Sequence, residues 1–187
     1  MYWTNKLKML WAGLLLVGSI QAQQVCVSTP GTSLVLSAPE GGELKYVYYG
    51  PKLAPADLEQ LPAVEKALSA YPAYGLYPAQ EAALAVEHGD GNLTLDLAVQ
   101  RVSTQQEEKA LLTVVELKDK VYPFYVNICY RAWQDADVIE TWTEISHAEK
   151  KPVVLTRFDS GCLPIRRGEV WLSHLNGSWA NESRLVE

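Results

Sequence analysis

The residues best suited to chemistry in this chain are aromatic and amide-rich rather than nucleophilic. The stretch Trp171-Leu-Ser-His-Leu-Asn-Gly-Ser-Trp-Ala-Asn-Glu-Ser-Arg-Leu185 sets two tryptophans beside a glycine turn, amides, a carboxylate and a guanidinium. Sugars present flat C–H faces rimmed with hydroxyls, so an exposed ring beside Asn or Asp makes a binding surface. Aromatics on loops are more telling for this than aromatics in strands. By that test Trp179, in Asn176-Gly-Ser-Trp-Ala-Asn-Glu182, leads. Trp142 and Trp171 fall in strand-like runs, Trp133 directly follows one, and all three read as packing residues. Tyr71, Tyr74 and Tyr77 either line a pocket or pack beneath a loop, with packing favoured.

Acid–base chemistry is harder to build. Hydrolysis of a glycosidic bond needs two carboxyl groups about 5–5.5 Å apart for retention, or roughly 6.5–9.5 Å apart for inversion. Glu140 and Glu144 flank Trp142 and point the same way in a strand, but at about 3.3 Å per residue they stand roughly 13 Å apart. They read as a solvated or half-buried strand face, and Glu149-Lys150-Lys151 reads as an ordinary charged turn. No Ser sits in a Gly-x-Ser-x-Gly elbow, and Gly161-Cys162 lacks the surroundings of a cysteine nucleophile. No catalytic residue is therefore assigned within the chain. His88, His147 and His174 lie far apart, and no spacing resembles a zinc site, so neither a metal nor a cofactor is expected. Cys26, Cys129 and Cys162 are an odd number, which leaves at least one unpaired in an exported chain. Cys129 lies in an apolar run and reads as a small core residue; the disulfide state stays open. Asn92-Leu-Thr94, Asn176-Gly-Ser178 and Asn181-Glu-Ser183 fit the glycosylation sequon.

Residues 1–22 have the layout of a secretory signal peptide: basic Lys6 and Lys8, the apolar run Met9 to Ile20, and Gln21-Ala22 before Gln23. The run is short for a transmembrane helix, which needs about 20 apolar residues. The sequence therefore predicts a periplasmic or secreted protein with no membrane attachment after cleavage. Removing Lys6 and Lys8 from the 16 basic residues leaves 14 against 22 acidic ones, a net −8. That balance argues against nucleic acid as a partner, because phosphates demand a basic surface.

The elements that must position these residues are strands. Short runs rich in Val, Ile, Thr and Tyr alternate with Gly, Pro and Asp turns. The runs are residues 33–37, 44–49, 84–88, 93–99, 111–118, 122–132, 138–147, 153–159 and 169–175. Gly89-Asp-Gly-Asn92 predicts a hairpin between the third and fourth of them, since Gly and Asn tolerate the positive φ such turns need. The exception is 54–71, where Asp57 is expected to cap a short helix holding Leu58, Leu61, Val64 and Leu68, weakened by Pro62. The fold class is all-β, an antiparallel β-sandwich over residues 23–187.

Six landmarks carry a resemblance to a known family. They are Tyr48-Tyr-Gly50, Tyr71-Pro-Ala-Tyr-Gly75, the His88 to Leu97 turn, Leu117-Lys-Asp-Lys120, Val138-Ile-Glu-Thr141 and Leu175-Asn-Gly-Ser-Trp-Ala-Asn-Glu182. In that order they resemble the N-terminal domain of family 36 glycoside hydrolases, the α-galactosidases. The resemblance implies a β-supersandwich, here incomplete, with the (β/α)₈ barrel and its two catalytic Asp outside this chain. It implies a retaining enzyme acting on terminal α-galactosides of oligosaccharides, often a tetramer whose N-terminal loops reach a neighbour's active site. The chain alone is then expected to be inactive. One substrate-binding residue carries over, Trp179. A family Asp in the loop after Tyr-x-Gly also reaches substrate, but here that loop departs from the usual Arg-Leu-Asp pattern and Asp57 stands in as a placeholder. The alternative is a stand-alone carbohydrate-binding β-sandwich.

Overall fold

The computed structural model describes residues 24–61, 67–76, 80–164, 174–178 and 181–186. The expected leader, residues 1–22, lies outside them. Two four-stranded sheets dominate. The first runs β1 (Gln24–Ser28), β2 (Thr32–Ser37), β3 (Lys45–Pro51) and β4 (Leu68–Ser69). The second runs β6 (Leu97–Gln106), β7 (Ala110–Asp119), β8 (Phe124–Trp133) and β9 (Ile139–His147). Two pairs complete the set: β5 (Leu84–Glu87) with β10 (Val154–Phe158), and β11 (His174–Ser178) with β12 (Asn181–Val186). All these pairings are antiparallel.

Side chains alternate across a strand, so a half-buried strand buries every second residue. In β8 Phe124, Val126, Ile128, Tyr130 and Ala132 are buried, and in β7 Val115 and Leu117. They share one apolar cluster with Val25, Val27, Leu34, Leu36 and Tyr46 from the first sheet. Two sheets over one core is the sandwich architecture, so the all-β antiparallel expectation holds. Burying a side chain the size of Leu36 or Phe124 contributes about 1.5–3 kcal/mol. The turn between β2 and β3 also ties the sheets together: Gly41 N–H donates to Val99 O and Val99 N–H donates to Gly42 O, both at 2.8 Å.

Several expectations need correction. The Gly89–Asn92 turn is real, with Gly91 at φ +87 and His88 N–H bonded to Asn92 O at 2.9 Å. The strands on either side nevertheless pair elsewhere, β5 with β10 and β6 with β7. Polar side chains redirect the chain after the turn: Asn92 Oδ1 accepts from Thr94 N–H, and the buried Asp119 carboxylate accepts from Asp96 N–H at 2.6 Å. The fourth run begins at Leu97 rather than Leu93 and extends to Gln106. Its second half, Ser103-Thr-Gln-Gln106, looks like a loop in sequence but is the polar edge of the second sheet, a common protection for an open edge. The helix is one turn, α1 (Pro55–Leu58). Leu68 belongs to β4 instead, and 62–66 lie outside the described residues.

Candidate functional site

The loop carrying Asp57 leaves β3 and is tied down along its first residues. Lys52 N–H donates to Gly31 O at 2.7 Å, Lys52 Nζ to Thr29 O at 3.0 Å, and Leu53 N–H to Ser33 Oγ at 3.1 Å. Pro55 then opens α1, where its missing N–H costs nothing. Asp57 caps this turn from within: its Oδ2 accepts from Ala54 N–H at 3.1 Å. The side chain is exposed, and the other carboxylate oxygen has no hydrogen bond among the described residues.

Trp179 falls between β11 and β12, whose register pairs Ser178 with Asn181. It lies outside the described residues, as do Tyr77 and Trp171.

The Tyr71-Pro-Ala-Tyr-Gly75 motif splits into two roles. Tyr71 is buried at 3% exposure and donates to Asp159 O at 2.8 Å. Burial, with Asp159 and Cys162 adding, pushes its phenol up to about 12. Tyr74 stands out at 51% exposure and is fixed by its backbone: Tyr74 N–H donates to Leu84 O at 2.9 Å, and its carbonyl accepts from Leu95 N–H at 3.3 Å. Gly75 takes φ +100, open to few L side chains, and packs against Thr94. Beside Tyr74 lies a pocket of about 590 Å³ bounded by Gln80, Glu81, Ala85 and Arg157. Arg157 is held by two carboxylates: Nη1 to Glu81 at 2.5 Å, and Nη2 and Nε to Asp159 Oδ2 at 3.0 and 3.3 Å.

A second cluster joins three loops. The His88 ring has 0% side-chain exposure, and its Nδ1 lies 2.8 Å from Glu149 Oε1, itself 8% exposed. Tyr122 stacks on the imidazole at 3.7 Å between centroids, and Phe124 meets it edge-on. Tyr122 Oη in turn donates to Asp90 at 2.8 Å. Among the described residues, the buried His88 Nε2 has no partner. A Cβ at Gly89 would overlap Lys151 Cβ, so glycine is what lets these loops meet. The Glu149 side chain is thus an enclosed partner of His88, where an ordinary charged turn was expected. The signal for it was missing, because the two residues lie 61 apart in sequence.

On the outward face of the second sheet, Trp133 and Trp142 are half-buried rather than core. Arg131 lies over both rings, 4.8 Å from the Trp142 centroid and 5.9 Å from that of Trp133. Glu140 pairs with Arg131 at 3.0 Å, while Glu144 accepts from Trp142 Nε1 at 3.1 Å. Cys129 is buried as expected, across from Val114 and Trp142, and all three cysteines are free. Among the described residues, no group of three or more His, Cys, Asp and Glu could hold a metal, and no helix is long and apolar enough to cross a membrane.

Two antiparallel sheets over one core, with carboxylates and exposed aromatics gathered on the connections, place the chain in the class of β-sandwich domains. More narrowly, it belongs to glycosyl hydrolase family 36: residues 42–187 match that family's N-terminal domain. No curated protein matches the chain. Among solved structures, the α-galactosidase from Lactobacillus brevis superposes with a TM-score of 0.74 at 18% identity, over 88% of this chain and 27% of that one. The α-galactosidase AgaA from Geobacillus stearothermophilus in complex with raffinose gives 0.65 at 19% identity, over 74% and 24%. At such identities the likeness is one of fold. The chain spans about a quarter of the length of these relatives.

Proposed function

We propose that this chain is the N-terminal, substrate-facing and assembly portion of an exported α-galactosidase that removes terminal α-linked galactose from oligosaccharides with retention. The observation that carries the reading is the family match over residues 42–187, joined to the fold shared with α-galactosidases. Within it, residues 1–22 serve as the export leader and 23–187 as the β-domain. Retention needs two carboxyl groups about 5–5.5 Å apart, and the reading assigns both to a barrel that this chain does not contain. The domain's own part is to complete the pocket rim. Trp179 offers a ring to a sugar face, and Asp57 offers an exposed carboxylate to its hydroxyls, either to its own active site or to a neighbour's in a tetramer.

The experiment is a pair of assays on the purified chain. With nitrophenyl α-galactoside it should release no nitrophenol, since a binding face without positioned carboxylates performs no acid–base catalysis. Joined to the barrel of its own enzyme it should support turnover, and Trp179→Ala should then raise KM with little change in kcat, as expected when binding is lost equally from ground and transition states. Turnover by the isolated chain, or a barrel indifferent to Trp179→Ala, would overturn the reading.

A further inference from the structure

The pocket beside Tyr74 has the composition of a sugar site. Its volume of about 590 Å³ falls within the range typical of small-ligand sites, roughly 300–1,000 Å³. Ala73, Ala82 and Ala85 keep part of its lining small and smooth, so a flat ring can approach. Tyr74, half exposed on a backbone fixed by two hydrogen bonds, supplies an aromatic surface at little entropic cost. The polar wall is already set. Arg157 has five N–H donors; three are engaged by Glu81 and Asp159, and two have no hydrogen bond among the described residues. Glu81 uses one carboxylate oxygen on Arg157 and its side chain is 80% exposed, which leaves the other oxygen as an acceptor. A fixed donor next to a fixed acceptor is the arrangement that two neighbouring hydroxyls satisfy, one accepting and one donating. Nothing in the pocket calls for an anionic ligand, because the one guanidinium is more than balanced by the Glu81 and Asp159 carboxylates.

We infer that this pocket binds one hexose unit of a neutral oligosaccharide, its C–H face on the Tyr74 ring and a vicinal diol on the Arg157–Glu81 pair. The inference rests on the glycan-facing role proposed above and adds to it a second sugar-contacting surface, on the β5–β10 side of the domain.

The test is a titration of the full 187-residue chain with raffinose, followed by calorimetry or by tyrosine-region NMR shifts, with affinity expected in the millimolar range. Tyr74→Ala and Glu81→Gln should each weaken binding at least about tenfold. Both side chains are exposed, so the thermal melts of these variants should match the parent and serve as the folding control. Trp179→Ala, titrated in parallel, reports on the other proposed sugar surface. Binding unchanged in both pocket variants, or no binding by the parent, overturns the inference. Binding lost only in Trp179→Ala overturns it too, but leaves the proposed function standing. The proposed function fails separately, on turnover with the barrel.

Discussion

Replacing Glu149 with alanine should loosen the junction of three loops at once. The His88 ring is fully enclosed and, among the described residues, its Nε2 has no partner and its Nδ1 has only Glu149. Removing the carboxylate leaves a second nitrogen of the same buried ring unsatisfied, and the Gly89 N–H also loses its 3.4 Å contact with Glu149. An orphaned buried donor costs about 1–3 kcal/mol, rising toward 3–5 kcal/mol where the pair carried charge. In a chain of this size each kcal/mol lowers Tm by about 2–4 °C. A central loss of about 2 kcal/mol thus predicts a fall of about 4–8 °C in a calorimetric or circular-dichroism melt. The double variant His88→Phe/Glu149→Leu should recover most of it, because both polar partners are then replaced by apolar groups and the orphaned Nε2 disappears as well. A fall below about 1 °C for Glu149→Ala, or a double variant as unstable as the single one, would refute the reasoning.

Asp119→Ala should cost stability by a related route, since its buried carboxylate accepts backbone N–H groups from Asp96, Val121 and Tyr122; a urea melt should show a loss of about 1–3 kcal/mol. Burial, with Tyr49 adding, pushes the Tyr46 phenol up to about 12. In the unfolded chain it ionises near 10, so stability should be intact below pH 10 and fall between pH 10 and about 12. Tyr46→Phe should make that fall shallower in melts across the range, with Tyr71, raised in the same way, accounting for part of what remains. Burial raises the thiol pKa of both Cys129 and Cys162, while Cys26 is exposed. A thiol reagent at neutral pH should therefore label Cys26 first, half-buried Cys162 more slowly, and buried Cys129 only after denaturation. N-terminal sequencing of protein recovered outside the cytoplasm should begin at Gln23, and an intact Met1 there would overturn the leader assignment.

What could be read from the sequence was what is local. The strands β7 and β8 announce themselves because Val115 and Leu117, and Val126 and Ile128, recur at every second position around Glu116 and Asn127, a pattern set by burial of one face. Gly91 likewise declared its positive φ. Pairing is a non-local matter, so the same turn misled about β5, whose partner lies about 70 residues further on at Val154–Phe158. The polar residues at the end of β6 hid a strand because an edge is stabilised by its neighbour's backbone and not by its own apolar side chains. At the candidate site, Asp57 emerged as a capping residue, though from inside the turn and not ahead of it. Tyr71 and Tyr74 sit in one five-residue motif with similar neighbours, and nothing local distinguishes the buried ring from the exposed one. Glu149 beside two lysines looked solvated because its partner was out of sight.

The central claim, that this β-domain works as part of an α-galactosidase, meets its most direct test in the gene. The coding sequence downstream of the Glu187 codon should be read in all frames, together with the adjacent genes. The account predicts a family 36 barrel with two aspartates to act as nucleophile and acid/base, either in a continuing or shifted frame or in a companion gene. A clean stop with no such barrel nearby would contradict it and leave glycan binding as the function to test.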